Sequence, residues 1–134
     1  MRLYQGVDIV DVAKLRAVMA RHSRFADEVF TDRERAYCRG RRDPMPHFAA
    51  RFAAKEACLK ALGRGLSTLG IDGILQEIEV ISRPSGKPVL ELSGSASLLS
   101  RRKKIIEATV SLSHTAHNAV ATVIFLAEGS LEER

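Results

Sequence analysis

Acidic, basic and imidazole side chains cluster in three short stretches of otherwise apolar sequence. The densest is Arg51 to Gly63, RFAAKEACLKALG. At 100° per residue, Phe48, Phe52, Leu59 and Leu62 share one stripe of a helix, and Ala49, Ala50, Ala53, Ala54, Ala57 and Ala61 cover most of the rest. Alanine lets neighbouring backbones approach closely, so this helix is expected to be packed on more than one side. Lys55 falls inside the stripe of large apolar residues; Glu56 and Lys60 lie at its edge, one turn apart. Burying a charge is costly unless it is paired or bound to a ligand or metal. An i,i+4 pair accounts for Glu56 with Lys60, at about 0.2–0.5 kcal/mol. It leaves Lys55, whose ammonium would have to snorkel.

The second stretch is Gly6 to Val10, GVDIV. Val7, Ile9 and Val10 mark a strand, where Asp8 is out of place. Alternation puts Asp8 on the face opposite Val7 and Ile9. An aspartate there either faces water from an edge strand or has a job. Asp11 is the better cap for the helix that follows, Val12 to Ala20. The third stretch, Val110 to Ile124, reads as two strands, about Ile105–Ser113 and Ala119–Leu126, joined by a polar turn around Thr115 to Asn118. His114 closes the first strand, in register with Ile106, Ala108, Val110 and Leu112. Together the stretches supply two carboxylates, a histidine and several cations. Carboxylates suit magnesium, which is commonly held by one or two of them plus phosphates and water. Lysine and arginine neutralise phosphates, and a histidine at a loop mouth binds phosphate or shuttles a proton. The set points to metal-assisted phosphoryl chemistry.

These stretches resemble the signature blocks of the holo-[acyl-carrier-protein] synthases, the small 4'-phosphopantetheinyl transferases. Gly6, Asp8 and Ile9 are similar to the family's G-x-D-I strand. Arg51 through Lys55, Glu56 and Lys60 to Gly63 resembles its R-F-A-x-K-E-A-x-x-K-A-L-G helix. Ser111, Ser113 and His114 resemble its S-x-S-H block, and Ser85-Gly86-Lys87-Pro88 is a weaker match to its G-K-P turn. The blocks occur in family order over nearly the whole chain. Two departures are mild. Lys14 stands where many members carry arginine, keeping the charge but losing the bidentate fork, and Cys58 stands where phenylalanine is common.

The resemblance implies transfer of 4'-phosphopantetheine from coenzyme A to a serine of apo acyl carrier protein, leaving adenosine 3',5'-bisphosphate. It implies Asp8 and Glu56 as magnesium ligands, with Lys60 and His114 near the reacting phosphate and serine. Arg51 and Lys55 would line the coenzyme A pocket, and Gly63-Arg64-Gly65 would lie against its phosphates. His114 counts among both the catalytic and the coenzyme A-binding candidates. A serine hydroxyl needs a base to attack the β-phosphorus; Glu56, a metal-bound water and His114 all remain open for that role. Magnesium and Lys60 would stabilise charge on the phosphoryl oxygens. The resemblance also implies a homotrimer with sites shared between neighbours.

Charge is unevenly placed. The chain carries 21 Lys+Arg against 16 Asp+Glu, and residues 1–64 hold 14 of the first and 8 of the second. A basic half steers acidic partners. Acyl carrier proteins are acidic, and the family presents its first helix to them, so Lys14, Arg21, Arg24 and Phe25 are the docking candidates. The pI near 9.6 and the run Arg101 to Lys104 also fit a nucleic-acid-binding module. Aromatic residues at 5%, the absence of a binding motif, and two carboxylates that would repel a phosphate backbone argue against nucleic acid. A non-catalytic coenzyme A-binding protein is a further alternative, opposed by the intact Asp8, Glu56, Lys60 and His114.

At 134 residues, 46% hydrophobic, the chain suits one domain. The reading is α+β: a small domain, residues 1–127, with an antiparallel sheet packed on a long central helix, phosphopantetheinyl transferase-like, then a polar tail, 128–134. The expected order is strand 3–10, helices 12–21, 32–40 and 46–62, strands 75–82 and 88–92, a short helix 94–101, and strands 105–113 and 119–126. Thr31 and Glu34 predict a capping box. Cys38 and Cys58 imply no disulfide framework. No apolar run reaches membrane-span length, and MRLYQGVDIV does not read as a signal peptide, so a cytoplasmic protein is expected.

Overall fold

The computed structural model describes residues 1–64 and 73–129. Strand β1 (Arg2–Asp11) runs directly into helix α1 (Val12–Arg21), capped by the Asp11 carboxylate, which accepts from the Lys14 amide at 3.0 Å. Short α2 (Phe25–Val29) and α3 (Asp32–Arg39) lead to the long α4 (Pro44–Ala61). A 3-10 turn (Ile74–Glu77) enters the hairpin β2 (Ile78–Ser82) and β3 (Pro88–Leu92). Helix α5 (Gly94–Arg102) precedes β4 (Ile105–His114) and β5 (Asn118–Ala127).

The fold is α+β. Strands β1, β5 and β4 form one antiparallel sheet in that order, and β2 with β3 forms a separate ribbon. Helix α4 lies on the inner face of the sheet. Ala119, Ala121, Val123 and Phe125 of β5 are buried there. Gly6 lets β1 rest on the helix backbone, since a Cβ at that position would collide with the Ala57 carbonyl. The alanines expected to permit close packing are buried, as are Phe48, Leu59 and Leu62. This helix is enclosed on several sides.

Lys55 does not snorkel. Its ammonium is fully buried and meets three acceptors: Glu34 Oε1 of α3 at 2.7 Å, the Leu75 carbonyl at 2.7 Å and the Ile78 carbonyl at 2.6 Å. An ammonium has three donors, so its hydrogen-bonding capacity is used. Burial pulls the Lys55 pKa down, and Glu34 opposes that shift. Glu34 is equally committed. The predicted capping box with Thr31 is present, and Glu34 also accepts from the Val80 amide at 2.8 Å.

Several expectations move at their edges. The strand expected from residue 75 starts at Ile78, because Ile74–Glu77 coils into a 3-10 turn. α2 has too few residues to show a period, and Arg24 is its N-cap rather than an extension of α1. α4 begins at Pro44, where proline's missing N–H costs nothing. A bulge between Ile105 and Glu107 turns Ile106 out of the register it was expected to share with His114.

Removing one partner of the buried pair strands the other as an uncompensated charge. Lys55→Met and Glu34→Gln should each destabilise the chain, the former by about 3–5 kcal/mol. The double variant should lose less than the sum. Denaturant unfolding measures this, and strictly additive losses would show that the two charges do not act as a pair.

Candidate active site

Helix α4 presents two sets of functional side chains on different flanks. On the β1 flank, Asp8 points inward because it shares its face with Tyr4, Gly6 and Val10, all packed toward α4. Its Oδ1 accepts from Lys60 Nζ at 2.9 Å, and Lys60 also donates to the Val7 carbonyl at 3.1 Å. Asp8 Oδ2 is buried and has no hydrogen-bond partner while Glu56 is ionised; protonated Glu56 hydrogen-bonds to the Asp8 carboxylate. Glu56, one turn before Lys60, turns its carboxyl to Asp8. Burial first, and then the Asp8 carboxylate, push the Glu56 pKa up to about 8, while Lys60 draws it down. Lys60 is half exposed, its pKa raised by Asp8.

A cleft of about 460 Å³ opens on the other flank, lined by Tyr37, His47, Arg51, Ser82, Lys87 and His114 among others. Arg51 is only 3% exposed yet has no acidic partner among the described residues. Its Nη2 donates to Ser82 Oγ at 2.7 Å, its guanidinium lies 3.9 Å from the Tyr37 ring centroid, and its Nε is buried without a partner. The His47 and His114 rings meet edge to face with centroids 4.8 Å apart. A buried guanidinium with a free donor and no counter-ion is arranged to receive an anion.

The structure therefore brings Asp8, Glu56 and Lys60 together and sets Arg51 with His114, but the two groups stand apart in one chain. His114 pairs with Ala119, which pairs with Val10, so two strands and two residues separate His114 from Asp8. That is roughly 12 Å of sheet. Lys55 is a correction: it lines no part of the cleft, because Glu34, Leu75 and Ile78 consume its donors inside the core. Gly63 and Arg64 follow α4, with Gly63 in the left-handed region at φ +79° and the Arg64 amide donating to Leu59 at 2.7 Å. Gly65 lies outside the described residues.

Of the docking candidates, Lys14, Arg21 and Arg24 are exposed. Arg24 makes a loose i,i+4 ion pair with Glu28 at 3.7 Å. Phe25 is half-buried against Phe52, with ring centroids 5.7 Å apart. A groove of about 290 Å³ runs between α1 and α4, with Lys14 and Phe25 on its walls and Glu56 reaching it. Sequence reasoning missed His47 and Tyr37. His47 stands one turn before Arg51, and that i,i+4 spacing placed it on the face of Arg51. Tyr37 comes from α3, and no local pattern joins it to the cleft.

Residues 5–123 match the family of the 4'-phosphopantetheinyl transferase superfamily, and the chain belongs to it. Its relatives include holo-[acyl-carrier-protein] synthases. That of Chloroflexus aggregans is 44% identical over 131 residues, covering 91% of this chain and 94% of the relative. That of Syntrophotalea carbinolica is 42% identical over 121 residues, covering 90% and 92%. Among solved structures, the "Chronobacterium ammoniagenes" ACPS–CoA complex superposes with a TM-score of 0.81 at 27% identity, covering 96% of this chain and 100% of that one. The Helicobacter pylori holo-[acyl-carrier-protein] synthase in complex with coenzyme A gives 0.74 at 27% identity, covering 91% and 99%.

The Glu56 shift has a sign that can be tested in metal-free buffer. A carboxyl raised from 4.5 to about 8 on folding contributes stability below its unfolded pKa, and that stability is lost as pH rises through 8. Glu56→Gln removes the dependence. The variant should melt above the parent at pH 8.5 and gain less, or nothing, at pH 4.5. An equal difference at both pH values would mean that Glu56 is not held in its acid form.

Proposed function

We propose that this chain is a holo-[acyl-carrier-protein] synthase. It transfers 4'-phosphopantetheine from coenzyme A to a serine of apo acyl carrier protein, in support of fatty acid biosynthesis, and releases adenosine 3',5'-bisphosphate. The observation that carries the mechanism is the buried, unpartnered Asp8 Oδ2 facing Glu56 beside Lys60.

Two converging carboxylates with an unused buried oxygen fit a hard divalent cation. Among the described residues no group of three or more His, Cys, Asp or Glu could hold a metal. A cation here would take few protein ligands and fill its shell with phosphate and water, which is the habit of magnesium. Asp8 and Glu56 are its holders in this reading. When bound, magnesium supplies Lewis-acid stabilisation of charge on the phosphoryl oxygens. Lys60, mobile enough at half exposure, turns from Asp8 toward those oxygens. Arg51, with its free Nε, and His114 hold a phosphate of coenzyme A, and Gly63, Arg64 and Gly65 border it at the end of α4. Lys55 has no contact with substrate.

The carrier docks on α1 and the start of α2 through Lys14, Arg21, Arg24 and Phe25. The groove beside them reaches Glu56, so an acidic helix seated there would deliver its serine to the Asp8–Glu56 centre. We place one catalytic domain at 1–127, with 128–134 as a tail, and the reaction in the cytoplasm, in keeping with two free, buried cysteines. No described helix is long and apolar enough to cross a membrane.

The assembly is proposed to be a homotrimer. Two observations support self-association. The outer face of the sheet leaves Leu3, Val7 and Ile9 at 67%, 52% and 68% exposure. The metal centre and the anion cleft open on separate flanks of α4, so a neighbouring copy could complete each site.

Incubation with coenzyme A, magnesium and apo carrier should raise the carrier mass by one phosphopantetheine, and Glu56→Gln should abolish the gain while staying folded. No mass gain with the parent chain would end the enzyme reading. In the same assay, Arg21→Glu or Arg24→Glu should raise the KM for the carrier severalfold more than that for coenzyme A, and salt should weaken carrier binding, since exposed charges are screened within about 8–10 Å at 0.1–0.15 M. An unchanged carrier KM in both reversals would move the docking surface elsewhere.

Light scattering at micromolar concentration should give three times the chain mass. Mixed Glu56→Ala and Arg51→Ala subunits should recover part of the activity if their intact halves meet across an interface. A fully active monomer would remove both the trimer and the shared site.

A further inference from the structure

His47 is a cleft residue to which no role has yet been given. Its ring is a rung in a ladder of planar groups. Arg51 lies on the Tyr37 ring, Tyr37 meets His47 with centroids 6.0 Å apart, and His47 meets His114 at 4.8 Å. The ladder spans from α3 through α4 to β4 and lines the cleft, and Arg51 Nε is buried behind it without a partner. Two cations line this space, Arg51 from α4 and Lys87 from the β2–β3 turn, and Arg41, after α3, lies 5.4 Å from the Tyr37 ring centroid. Asp43, at the N-cap of α4, is an acidic influence on His47 and acts more weakly than burial, His114, Arg41 and Arg51. The wall is thus deficient in negative charge and contains the His47 imidazole.

Resting on the coenzyme A-binding reading above, we propose that His47 is a further phosphate-recognition residue, and that its imidazole takes up a proton from solvent as a phosphate group of coenzyme A enters the cleft. In the empty cleft the neutral imidazole prevails. Burial lowers the His47 pKa first, and the neighbouring His114, Arg41 and Arg51 lower it further. A phosphate seated on Arg51 reverses that balance. An anion within about 4–6 Å favours the protonated ring, and the imidazolium gives the phosphate a charge-assisted N–H donor. The proton comes from the buffer and stays on the ring while the ligand is bound. Binding is therefore tighter at mildly acid pH than at alkaline pH.

The test is calorimetric titration of coenzyme A into the full chain without magnesium, so that the Glu56 proton stays in place, in buffers of different ionisation enthalpy. At pH 7 the parent should take up about half a proton or more per coenzyme A, judged from the ordinary histidine range, and its Kd should weaken severalfold between pH 6.5 and 8.5. His47→Phe keeps a ring against Tyr37 and His114 but cannot protonate. It should lose most of the uptake and bind at pH 6.5 only as well as the parent does at pH 8.5. His47→Gln should do the same and guards against a packing artefact in the first variant. Dephospho-coenzyme A locates the group: uptake lost with it assigns the 3'-phosphate, and uptake retained assigns the pyrophosphate, both within the proposal. Tight binding by the parent with no buffer dependence, or undiminished uptake in both variants, would overturn the role of His47 and leave the enzyme reading standing. Failure of the parent to bind coenzyme A would take down both.

Discussion

The buried ion pair between Lys55 and Glu34 is the constraint on which the geometry of this molecule depends. A fully buried ammonium allows only a narrow range of positions, because all three of its N–H groups need acceptors. Those acceptors come from α3, the 3-10 turn and β2. The contact therefore ties three separate elements to one point on α4. It also fixes the rotation of that helix. With Lys55 turned toward β2, Arg51 one turn earlier must face the same side, and its guanidinium reaches Ser82 at the end of β2. Glu56 is one residue on, about 100° further round, and so faces β1. A helix rotated by that amount would put Glu56 in the place of Lys55, away from Asp8, and break the three contacts of the ammonium.

Charge around α4 is partitioned as a result. The β1 flank gathers two carboxylates with one lysine, and the cleft flank gathers arginine, lysine and histidine with no carboxylate in contact. Each set is incomplete in the opposite sense. The first has a buried oxygen in need of a cation, and the second has a buried N–H in need of an anion. The same partition accounts for the unequal roles of the two lysines in the helix. Lys60 stays half exposed beside Asp8, whereas Lys55 is spent on structure.

Local pattern made much of this legible. Alternation gave β1 and the inward position of Asp8, the alanine content of α4 gave its enclosure, and Thr31 with Glu34 gave the start of α3. Long-range partners were not legible. Nothing in the spacing joins Lys55 to Glu34, 21 residues earlier, because that contact depends on how α3 packs across α4. Lys55 was consequently read as a pocket residue on the strength of its position in the motif. His47 and Tyr37 escaped for the same reason, since the cleft is assembled from α3, α4, the β2–β3 turn and β4. The short α2 carried too few residues for a period, and the 3-10 turn at Ile74–Glu77 had the apolar look of a strand.

The stretch GVDIV couples chemistry to assembly through the pleat itself. Side chains alternate strictly along β1, so turning Asp8 toward α4 must turn Val7 and Ile9 away from it. Val7 pairs with Thr122, Ile9 with Val120 and Leu3 with Leu126, and these six side chains share the outer face of the sheet. A strand chosen only for solubility would carry polar residues at those outward positions, as Gln5 does. Leu3, Val7 and Ile9 are instead apolar, with Ile124 of β5 exposed beside them. Burying such a face contributes about 25 cal/mol per Å² of apolar surface removed from water. The inner face is already occupied by α4, and among the described residues the outer one is left exposed at Leu3, Val7, Ile9 and Ile124. A one-residue slip of β1 would hide Val7 and Ile9 but expel Asp8 from the Glu56–Lys60 centre. The register that turns Asp8 toward Glu56 and Lys60 is the same one that turns Val7 and Ile9 outward, and the two properties cannot be selected apart.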